Sequence, residues 1–313
     1  MSFEITTAFV EGYKSNIIML SQQMDSRLFS KARQESQNSK ADFYERIGAV
    51  DAVEITGRHG DTPIMNTPHS RRMVTLTDAE YGDMIDSMDR VRLLINPDDA
   101  YVRAAVMAMN RYKDDKFIAA ILGNAYAGES GSTAVALPSA QKVAAHDGTT
   151  TTGVNLNVQT LRAVAKKFDG NDIDEMDMKY FAFTSSQKES LLAEEEVTSS
   201  DYAAIKALVS GQIDTFMGFK FVRSERLVRS ATDVTYTVTN GVTGAGTGTI
   251  TAANSRRCFA WVDNGMLSAT GKDTLVKVQE RADKRFGTQI YCALSVGCTR
   301  LEDEKVVEVI CSE

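Results

Sequence analysis

The sequence predicts an α+β fold in which most strands pair antiparallel. Two strand-like segments, residues 49–55 and 73–77, bracket a long polar loop. A helical pattern of unusual length then covers residues 97–122. Short strand patterns dominate residues 216–310, without the regular alternation of strand and helix that a parallel sheet requires.

The composition, 43% hydrophobic and 25% charged, is typical of a soluble globular protein with a substantial core. No signal peptide is recognisable and no apolar run reaches roughly 18 residues, so we expect no membrane partner. The net charge of −7 argues against a nucleic-acid reader, whose surface would be basic. The cysteines Cys258, Cys292, Cys298 and Cys311 form no C-x-x-C pair, and we interpret them as small buried hydrophobes in a reducing compartment.

Residues 1–40 are predicted to form an arm that contains one helix and is loosely tied to the core. The polar loop, residues 56–72, reads T-G-R-H-G-D-T-P-I-M-N-T-P-H-S-R-R and holds two of the four prolines, two of the three histidines and three arginines. A long hairpin whose tip cannot pack on itself is expected to lie on another surface. The loop therefore points to a protein that contacts copies of itself.

An acidic segment follows the loop. Residues 78–89 contain five acids and no base, and we predict a helix there with Met84, Ile85 and Met88 on its apolar face. The loop carries three arginines against one aspartate, a balance of +2, whereas the acidic segment carries −5. The two charges can meet within one chain, or they can fix the register between two chains.

The long helix has a well-defined predicted start. Asn96 suits the N-cap, Pro97 the first helical position, and Asp98 and Asp99 the positive end of the helix dipole. The helix is expected to end before Gly123, which gives a length of about 39 Å at about 1.5 Å per residue. Its many alanines imply close packing against a sheet or another helix.

Shorter elements fill the rest of the chain. We predict helices at 156–168, at 202–208 and after a capping box that begins at Ser186. Predicted strands are 179–184, 216–222, the hairpin 233–253, 259–262, 274–279, 289–296 and 306–310.

The patterns that carry chemistry are mostly missing. None of the three histidines lies near a G-x-S-x-G motif, and we interpret His59 and His69 as hydrogen-bonding or interface residues. The glycine-rich stretch 241–248 lacks the lysine of a phosphate loop, and the acids of 169–177 have the wrong order for a calcium loop. We therefore expect no catalytic residue, cofactor or metal.

Five segments together carry a resemblance to a known family. They are G-R-H-G-D-T-P at 57–63, T-P-H-S-R-R at 67–72, V-R-L-L-I-N-P at 91–97, E-R-A-D-K-R-F-G-T-Q-I-Y at 280–291 and G-C-T-R-L-E-D-E-K-V-V-E-V at 297–309. In order and spacing the chain resembles the major capsid proteins of tailed bacteriophages, which share the Hong Kong 97-type capsid fold.

The resemblance implies a division of the chain. The N-terminal arm would be 1–48 and the extended hairpin loop 49–77. The peripheral domain would be 78–155 and 270–313, with a spine helix at 97–122, and the axial domain 156–269. In this family the axial domains meet around five-fold and six-fold axes, and the extended loops lie over neighbouring subunits.

The same resemblance implies a function. The chain would assemble as hexamers and pentamers into an icosahedral shell around a double-stranded DNA genome, and the procapsid would mature. Assembly would take place in the host bacterial cytoplasm, and the product would be the virion capsid. Expected partners are other copies of the chain, a separate scaffolding protein, a portal, a decoration or cement protein, and DNA bound on the inner face without sequence specificity.

Contacts between subunits are expected from the loop and the acidic segment. The predicted contact residues are Arg58, His59, Asp61, His69, Arg71, Arg72, Asp78, Glu80, Asp83 and Asp86. Some relatives cross-link through a loop lysine, but this chain has no lysine between Lys40 and Lys113, which disfavours that chemistry. The alternatives are the shell protein of an enzyme-loaded nanocompartment with the same fold, or a small-molecule hydrolase.

Overall fold

The computed structural model of the protein describes residues 22–54, 57, 64–85, 98–146, 153–194, 215–240 and 244–313. Its helices are α1 (Asp98–Leu122), α2 (Val158–Asp169) and α3 (Ser185–Ala193). Its strands are β1 (Arg33–Ser36), β2 (Ala41–Ile47), β3 (His69–Thr75), β4 (Thr77–Ile85), β5 (Ala125–Ala127), β6 (Thr133–Val135), β7 (Lys142–Ala144), β8 (Lys179–Phe183), β9 (Thr215–Phe216), β10 (Phe219–Arg223), β11 (Val234–Asn240), β12 (Gly244–Ile250), β13 (Ser255–Val262), β14 (Met266–Arg281), β15 (Gly287–Arg300) and β16 (Val306–Ser312).

The chain forms two compact units. The first unit contains Met1–Ser26, Thr77–Tyr112 and Lys272–Ser295. The second contains Arg27–Leu76, Lys113–Gly271 and Val296–Glu313. The predicted peripheral and axial domains describe positions in a shell, and that division stays a prediction.

The first unit is built on three strand segments. Residues 272–281 of β14, residues 287–295 of β15, and β4 lie side by side in that order. Its buried apolar side chains come from β4, α1 and β15, and they include Ile85, Met109, Ile290 and Leu294. The connection between β14 and β15 is tight, with left-handed backbone at Arg285 (φ 53°) and Phe286 (φ 58°).

The second unit holds the main core. A six-stranded sheet in the order β7-β16-β13-β8-β10-β9 mixes parallel and antiparallel pairs. Phe117, on the C-terminal half of α1, lies 5.4 Å from the Trp261 ring on β13 in an edge-on arrangement, and both side chains are fully buried. Aromatic pairs of this kind contribute about 0.5–1.5 kcal/mol beyond the area they bury.

A second sheet in the same unit carries the hairpin that the sequence singled out. Its order is β2-β3-β5-β6, and β2 pairs antiparallel with β3 from Ala41–Thr75 to Ile47–His69. The predicted hairpin is therefore present, but its paired strands are 41–47 and 69–75 rather than 49–55 and 73–77. Residues 48–54 extend beyond the ladder without regular structure.

The predicted acidic helix is wrong. Residues 77–85 form strand β4, in which Tyr81, Asp83 and Ile85 are less exposed than the residues between them. That alternation has the two-residue period of a strand. Pairing with β15 stabilises the strand, although the local charge pattern alone suggested a helix. Asp86 and Met88 lie outside the described residues.

Several other predictions hold with adjusted ends. Helix α1 is confirmed from Asp98, α2 begins after its N-cap Asn157, and the hairpin β11–β12 occupies the predicted 233–253 region. The third helix begins two residues earlier than predicted, because Thr184 rather than Ser186 is the N-cap and forms the capping box with Gln187. Three strand pairs, β1–β14, β8–β10 and β7–β16, are parallel, so the pairing is more mixed than expected. Residues 96–97 and 202–208 lie outside the described part of the chain.

Candidate subunit-interaction surface

The β2–β3 hairpin exposes large apolar side chains. We call residues 41–75 the hairpin arm. The exposed fractions are 69% for Ile47, 55% for Val50, 58% for Val53 and 99% for Ile64, and Met65 and Phe43 are also exposed. Exposed apolar residues are ordinary when scattered singly, but a group of them on one projecting element indicates a surface that another molecule covers.

The arm continues beyond its paired strands. Its ladder of seven residue pairs, Ala41 to Ile47 opposite His69 to Thr75, spans about 20 Å at about 3.4 Å per residue. Residues 48–54 continue past the last pair. Ile47, Val50, Val53, Ile64 and Met65 therefore lie at or beyond the far end of the ladder, whereas Phe43 lies within it.

Charged side chains on the arm are also accessible. The Arg71 guanidinium lies 3.0 Å from the Glu45 carboxylate across the ladder and 5.7 Å from the centre of the Phe43 ring. His69 is exposed at the start of β3. An exposed ion pair of this kind contributes at most about 1 kcal/mol, so Arg71 remains available for a partner. Arg58, His59 and Asp61 lie outside the described residues.

Arg72 has a different role from the one its sequence position suggested. Its side chain is buried, only 3% exposed, and its guanidinium pairs with the carboxylate of Asp303. Burial lowers the pKa of Arg72, and the nearby Asp303 opposes that shift. The prediction that Arg72 contacts a neighbouring subunit is therefore not supported, because its own chain encloses the side chain.

The partner of Arg72 belongs to a buried network at the base of the arm. The fully buried Arg300 donates from Nε to Asp303 at 3.0 Å. Its Nη1 donates to the carbonyl of Ile121 at 2.9 Å and also to those of Ala120 and Gly123. Its Nη2 donates to the carbonyl of Val135 at 3.0 Å.

This network supplies hydrogen-bond donors to the carbonyls at the end of α1. The last carbonyls of a helix have no partner within the helix, and leaving them buried and unpaired is costly. Arg300 supplies donors for them and shares Asp303 with Arg72. One buried aspartate thus joins the end of the helix to strand β3 of the arm.

Two further contacts hold the paired strands of the arm against their own unit, one of them near the far end of the ladder. The Arg46 guanidinium donates to the carbonyl of Leu301. Beneath the ladder, a small apolar cluster contains Val74, Leu267, Ala269 and Leu301. Ionic and apolar contacts therefore fix the paired strands of the arm, and residues 48–54 and 64–68 extend beyond them.

The predicted acidic contacts lie on β4 in the first unit. Asp78 and Glu80 are exposed and Asp83 is partly buried. Glu80 accepts a hydrogen bond from Tyr291 Oη at 3.2 Å, and Asp83 accepts one from Tyr81 Oη at 3.3 Å. These partners stay within the unit and leave the strand face accessible.

One buried residue has a structural role that the sequence did not predict. Asp114 is fully buried in the middle of α1, and its carboxylate accepts hydrogen bonds from the backbone N–H groups of Arg27 at 3.0 Å and Leu28 at 3.1 Å. The adjacent Asp115 instead pairs with Arg226. No local signal distinguishes Asp114, because it lies within the polar run R-Y-K-D-D-K of residues 111–116.

The described acidic residues, histidines and cysteines include no cluster of metal ligands. Within those residues, no three His, Cys, Asp or Glu side chains are grouped closely enough to hold a metal ion. The described cysteines are free, and burial raises the pKa of Cys298 to about 12, which keeps the thiol protonated and unreactive. None of the described helices is both long and apolar enough to cross a membrane.

A phage capsid family model and solved structures of phage capsids match this chain. A family model described as phage capsid protein matches residues 5–313. The capsid of cyanophage P-SCSP1u aligns with a TM-score of 0.70 and 13% identity, covering 99% of this chain and 94% of its own. The corresponding values for the capsid of Ralstonia phage GP4 are 0.71, 9%, 97% and 95%.

The acid-stable capsid of Helicobacter pylori bacteriophage KHP30 aligns with a TM-score of 0.68 and 11% identity, over 100% of this chain and 98% of its own. At these identities, the structural likeness shows a shared fold. No curated protein sequence matches the chain.

Proposed function

We propose, from the premise that this chain belongs to the phage capsid protein family, that its hairpin arm holds neighbouring subunits of the shell together. The chain is a major capsid protein that associates with copies of itself in the virion capsid. The hairpin arm is the element responsible for that association.

The observation that carries the proposal is the exposed apolar end of the arm on a fixed base. Ile47, Val53 and Ile64 are exposed in the single chain, while Arg72 and Arg300 tie the base to the core. Covering apolar area contributes about 25 cal/mol per Å², so burying these side chains against a neighbour stabilises the assembly. A fixed base limits the entropy lost when the contact forms.

The charged residues of the arm add selectivity to this contact. Arg71 and His69 remain candidate contacts, together with Arg58, His59 and Asp61 from the tip. Asp78, Glu80, Asp83 and Asp86 are candidate receivers on another subunit. Complementary charges of this kind fix the register between partners more than they raise affinity.

Membership of the phage capsid protein family also supports a proposal for the wider assembly. Hexamers and pentamers of the chain would close an icosahedral shell around double-stranded DNA in the host cytoplasm, with procapsid maturation. A separate scaffolding protein, a portal and a decoration or cement protein would assist, and DNA would meet the inner face without sequence specificity. The chain would act as a structural protein rather than as an enzyme.

The two alternative functions, a nanocompartment shell protein and a small-molecule hydrolase, are not favoured. The family match favours a phage capsid protein over the shell protein of an enzyme-loaded nanocompartment. The same family match disfavours a small-molecule hydrolase.

Electron microscopy of purified particles tests the proposal. We expect closed shells from the wild-type chain and folded, unassembled subunits from a variant that carries Val50→Asp and Val53→Asp. The matched control places the same two charges on an exposed loop, Ser130→Asp with Ser132→Asp, and should still form shells. Normal shells from the hairpin variant would overturn the proposal.

A further inference from the structure

We infer that the hairpin β11–β12 joins copies of the chain edge to edge, with β12 of one copy pairing with β11 of the next in a β-sheet shared between subunits. We call residues 234–250 the β11–β12 ribbon. This pairing rests on the proposed function, because it requires neighbouring copies in a shell, but it uses an element other than the hairpin arm. The open edges of the ribbon, its composition and the small area of each edge lead to it.

The ribbon is a two-stranded sheet with two open edges. Strands β11 and β12 pair antiparallel over seven residue pairs, from Val234–Ile250 to Asn240–Gly244. Among the described strands of the chain, none pairs with the outer edge of either one. A two-stranded hairpin by itself is marginally stable at best in water, so each edge favours the addition of a further strand.

The base of the ribbon is fixed to the second unit. The carboxylate of Asp233 accepts a hydrogen bond from the N–H group of Ala252 at 2.8 Å. Ser255 Oγ accepts from the N–H group of Ser230 and donates to the carbonyl of Ala252, both at 2.8 Å. Ile250, the last residue of β12, is buried. A fixed base limits the entropy that is lost when the edges of the ribbon pair.

The ribbon lacks the features that keep edge strands apart. Residues 234–250 contain no charged residue and no proline, although 25% of the whole chain is charged. Edge strands that stay unpaired normally carry lysine, other charges or proline, or are interrupted by a bulge. Strand β12 also has glycine at every second position from 244 to 248, and glycine within a strand often marks the close approach of another backbone. The composition therefore indicates edges that another strand covers.

The small area of one edge identifies the occupant as another copy of the chain. An edge of seven residues is about 20 Å long and about 10 Å deep, so it buries roughly 200 Å² on each partner, against about 800 Å² in a stable complex. That area is too small to hold a separate protein. A neighbouring copy is already held close by the other contacts of the shell, which raises the effective concentration of its own ribbon.

The two edges of the ribbon select the mode of pairing. Pairing of β11 with β11, or of β12 with β12, would leave one edge of every ribbon open. Pairing of β12 with β11 of the next copy continues the antiparallel order and repeats around a ring of subunits until the sheet closes. Closure covers every edge, as in a barrel. A pentamer or a hexamer would then carry one closed sheet around its axis.

Cysteine trapping in particles assembled from two different chains tests this pairing. Thr237→Cys chains are mixed in equal amounts with chains that carry one substitution on β12, and the particles are oxidised mildly and run on a non-reducing gel. Three β12 positions share the face of Thr237 and cover a shift of two residues in either direction; the substitutions are Ala245→Cys, Thr247→Cys and Thr249→Cys. We expect a covalent dimer from at least one mixture, containing up to about half of the chain, the statistical limit for equal mixing in a ring.

Controls separate the possible outcomes. Particles built from a single variant should stay monomeric, because the native cysteines are buried or half-buried. The mixture of Ser130→Cys, on an exposed loop, with Thr247→Cys should also stay monomeric. Dimers from Thr237→Cys particles alone would show β11–β11 pairing and contradict the proposed mode. Closed particles without a dimer from any of the three mixtures would overturn the shared sheet and leave the role of the hairpin arm standing. If the wild-type chain forms no particles, the proposed function fails as well.

A charge placed in the shared sheet gives an independent readout. Thr237→Lys would bring positive charges of neighbouring copies to about 10 Å from one another, two strand spacings apart. We expect the yield of closed particles to fall at least about tenfold at low ionic strength and to recover in about 1 M salt, where the Debye length is about 3 Å. The unassembled subunit should keep its wild-type unfolding curve. Thr232→Lys, exposed outside the ribbon, should change neither quantity. Wild-type particle yield from folded Thr237→Lys at low ionic strength would contradict the shared sheet.

Discussion

Arg300 Nε lies 3.0 Å from the carboxylate of Asp303, and both side chains are buried in the second unit. The same carboxylate also pairs with Arg72 of the hairpin arm. The base of the arm and the end of α1 therefore depend on a single buried anion. Buried ion pairs are not in general a source of net stability, but removing one member is strongly destabilising.

Arg300→Met should destabilise the subunit by roughly 3–5 kcal/mol, because it strands the last carbonyls of α1 and leaves Asp303 with one partner instead of two. Urea unfolding of the unassembled chain, followed by fluorescence of the single buried Trp261, measures the change. Arg33→Met is the control. Arg33 pairs with Glu35 at the surface at 2.8 Å, and its loss should cost less than about 1 kcal/mol. Equal effects of the two changes would refute the role assigned to Arg300.

Asp114→Asn should loosen the segment that begins at Arg27. The carboxylate of Asp114 accepts from the N–H groups of Arg27 and Leu28, and an amide presents two donors and one acceptor to them. Hydrogen exchange at these amides should accelerate about 10- to 100-fold, equivalent to the roughly 1.5–3 kcal/mol of charge-assisted hydrogen bonds. Asp115→Asn, which alters an exposed pair, should leave those amides unchanged. Unchanged exchange rates in the Asp114 variant would show that these hydrogen bonds do not stabilise the segment.

Glu313 gives the chain a pH-dependent contribution to stability. Burial would raise the pKa of Glu313, but hydrogen bonds from Arg256, Gln187 and Thr184 outweigh burial and hold the pKa below its usual 4.5. A lowered folded pKa stabilises the native state fully above pH 4.5, and the contribution is lost as pH falls through the folded pKa.

Replacing that carboxylate tests the direction. Glu313→Gln should lower stability by about 1–2 kcal/mol at pH 7, and its difference from wild type should shrink below pH 4.5. Melting temperatures between pH 3 and 7 measure this, with the exposed Glu304→Gln as a control for the lost charge. A difference that grows on acidification would have the wrong sign.

Substitutions of the two arginines at the end of the polar loop, Arg71 and Arg72, should have different effects. Arg71→Glu changes an exposed residue and should leave the subunit folded while reducing the yield of closed shells. Arg72→Glu places a carboxylate against the buried Asp303 and should cost roughly 3–5 kcal/mol before assembly begins. Unfolding curves and particle counts on both single variants decide the matter. A stable Arg72 variant with a specific assembly defect would restore the contact predicted from sequence.

Much of the fold was visible in the sequence because local chemistry determines it. Asp98 and Gly123 delimit α1, and the composition of the polar loop indicated a hairpin. Strand β4 was misread because five acids and a few apolar residues imitate one face of a helix. Its strand character comes from pairing with β15, which lies about two hundred positions away in the chain.

The ionic base of the arm could not be predicted for the same reason. Arg72 and Asp303 are 231 positions apart, and nothing local distinguishes Arg72 from the exposed Arg71 beside it. In a strand, adjacent side chains point to opposite faces, so one arginine meets solvent and the next meets the core. Knowing which is which requires the position of β3 in its sheet.

A side-chain-resolution reconstruction of the closed shell tests the central claim most directly, because it measures the exposure of Val53 and Ile64 in the assembly. In the single chain these side chains are 58% and 99% exposed. We predict that both become buried against a neighbouring copy of the chain, with Arg72 still paired to Asp303 of its own subunit. A closed shell in which the hairpin arm remains exposed to solvent would contradict the claim that the arm holds the subunits together.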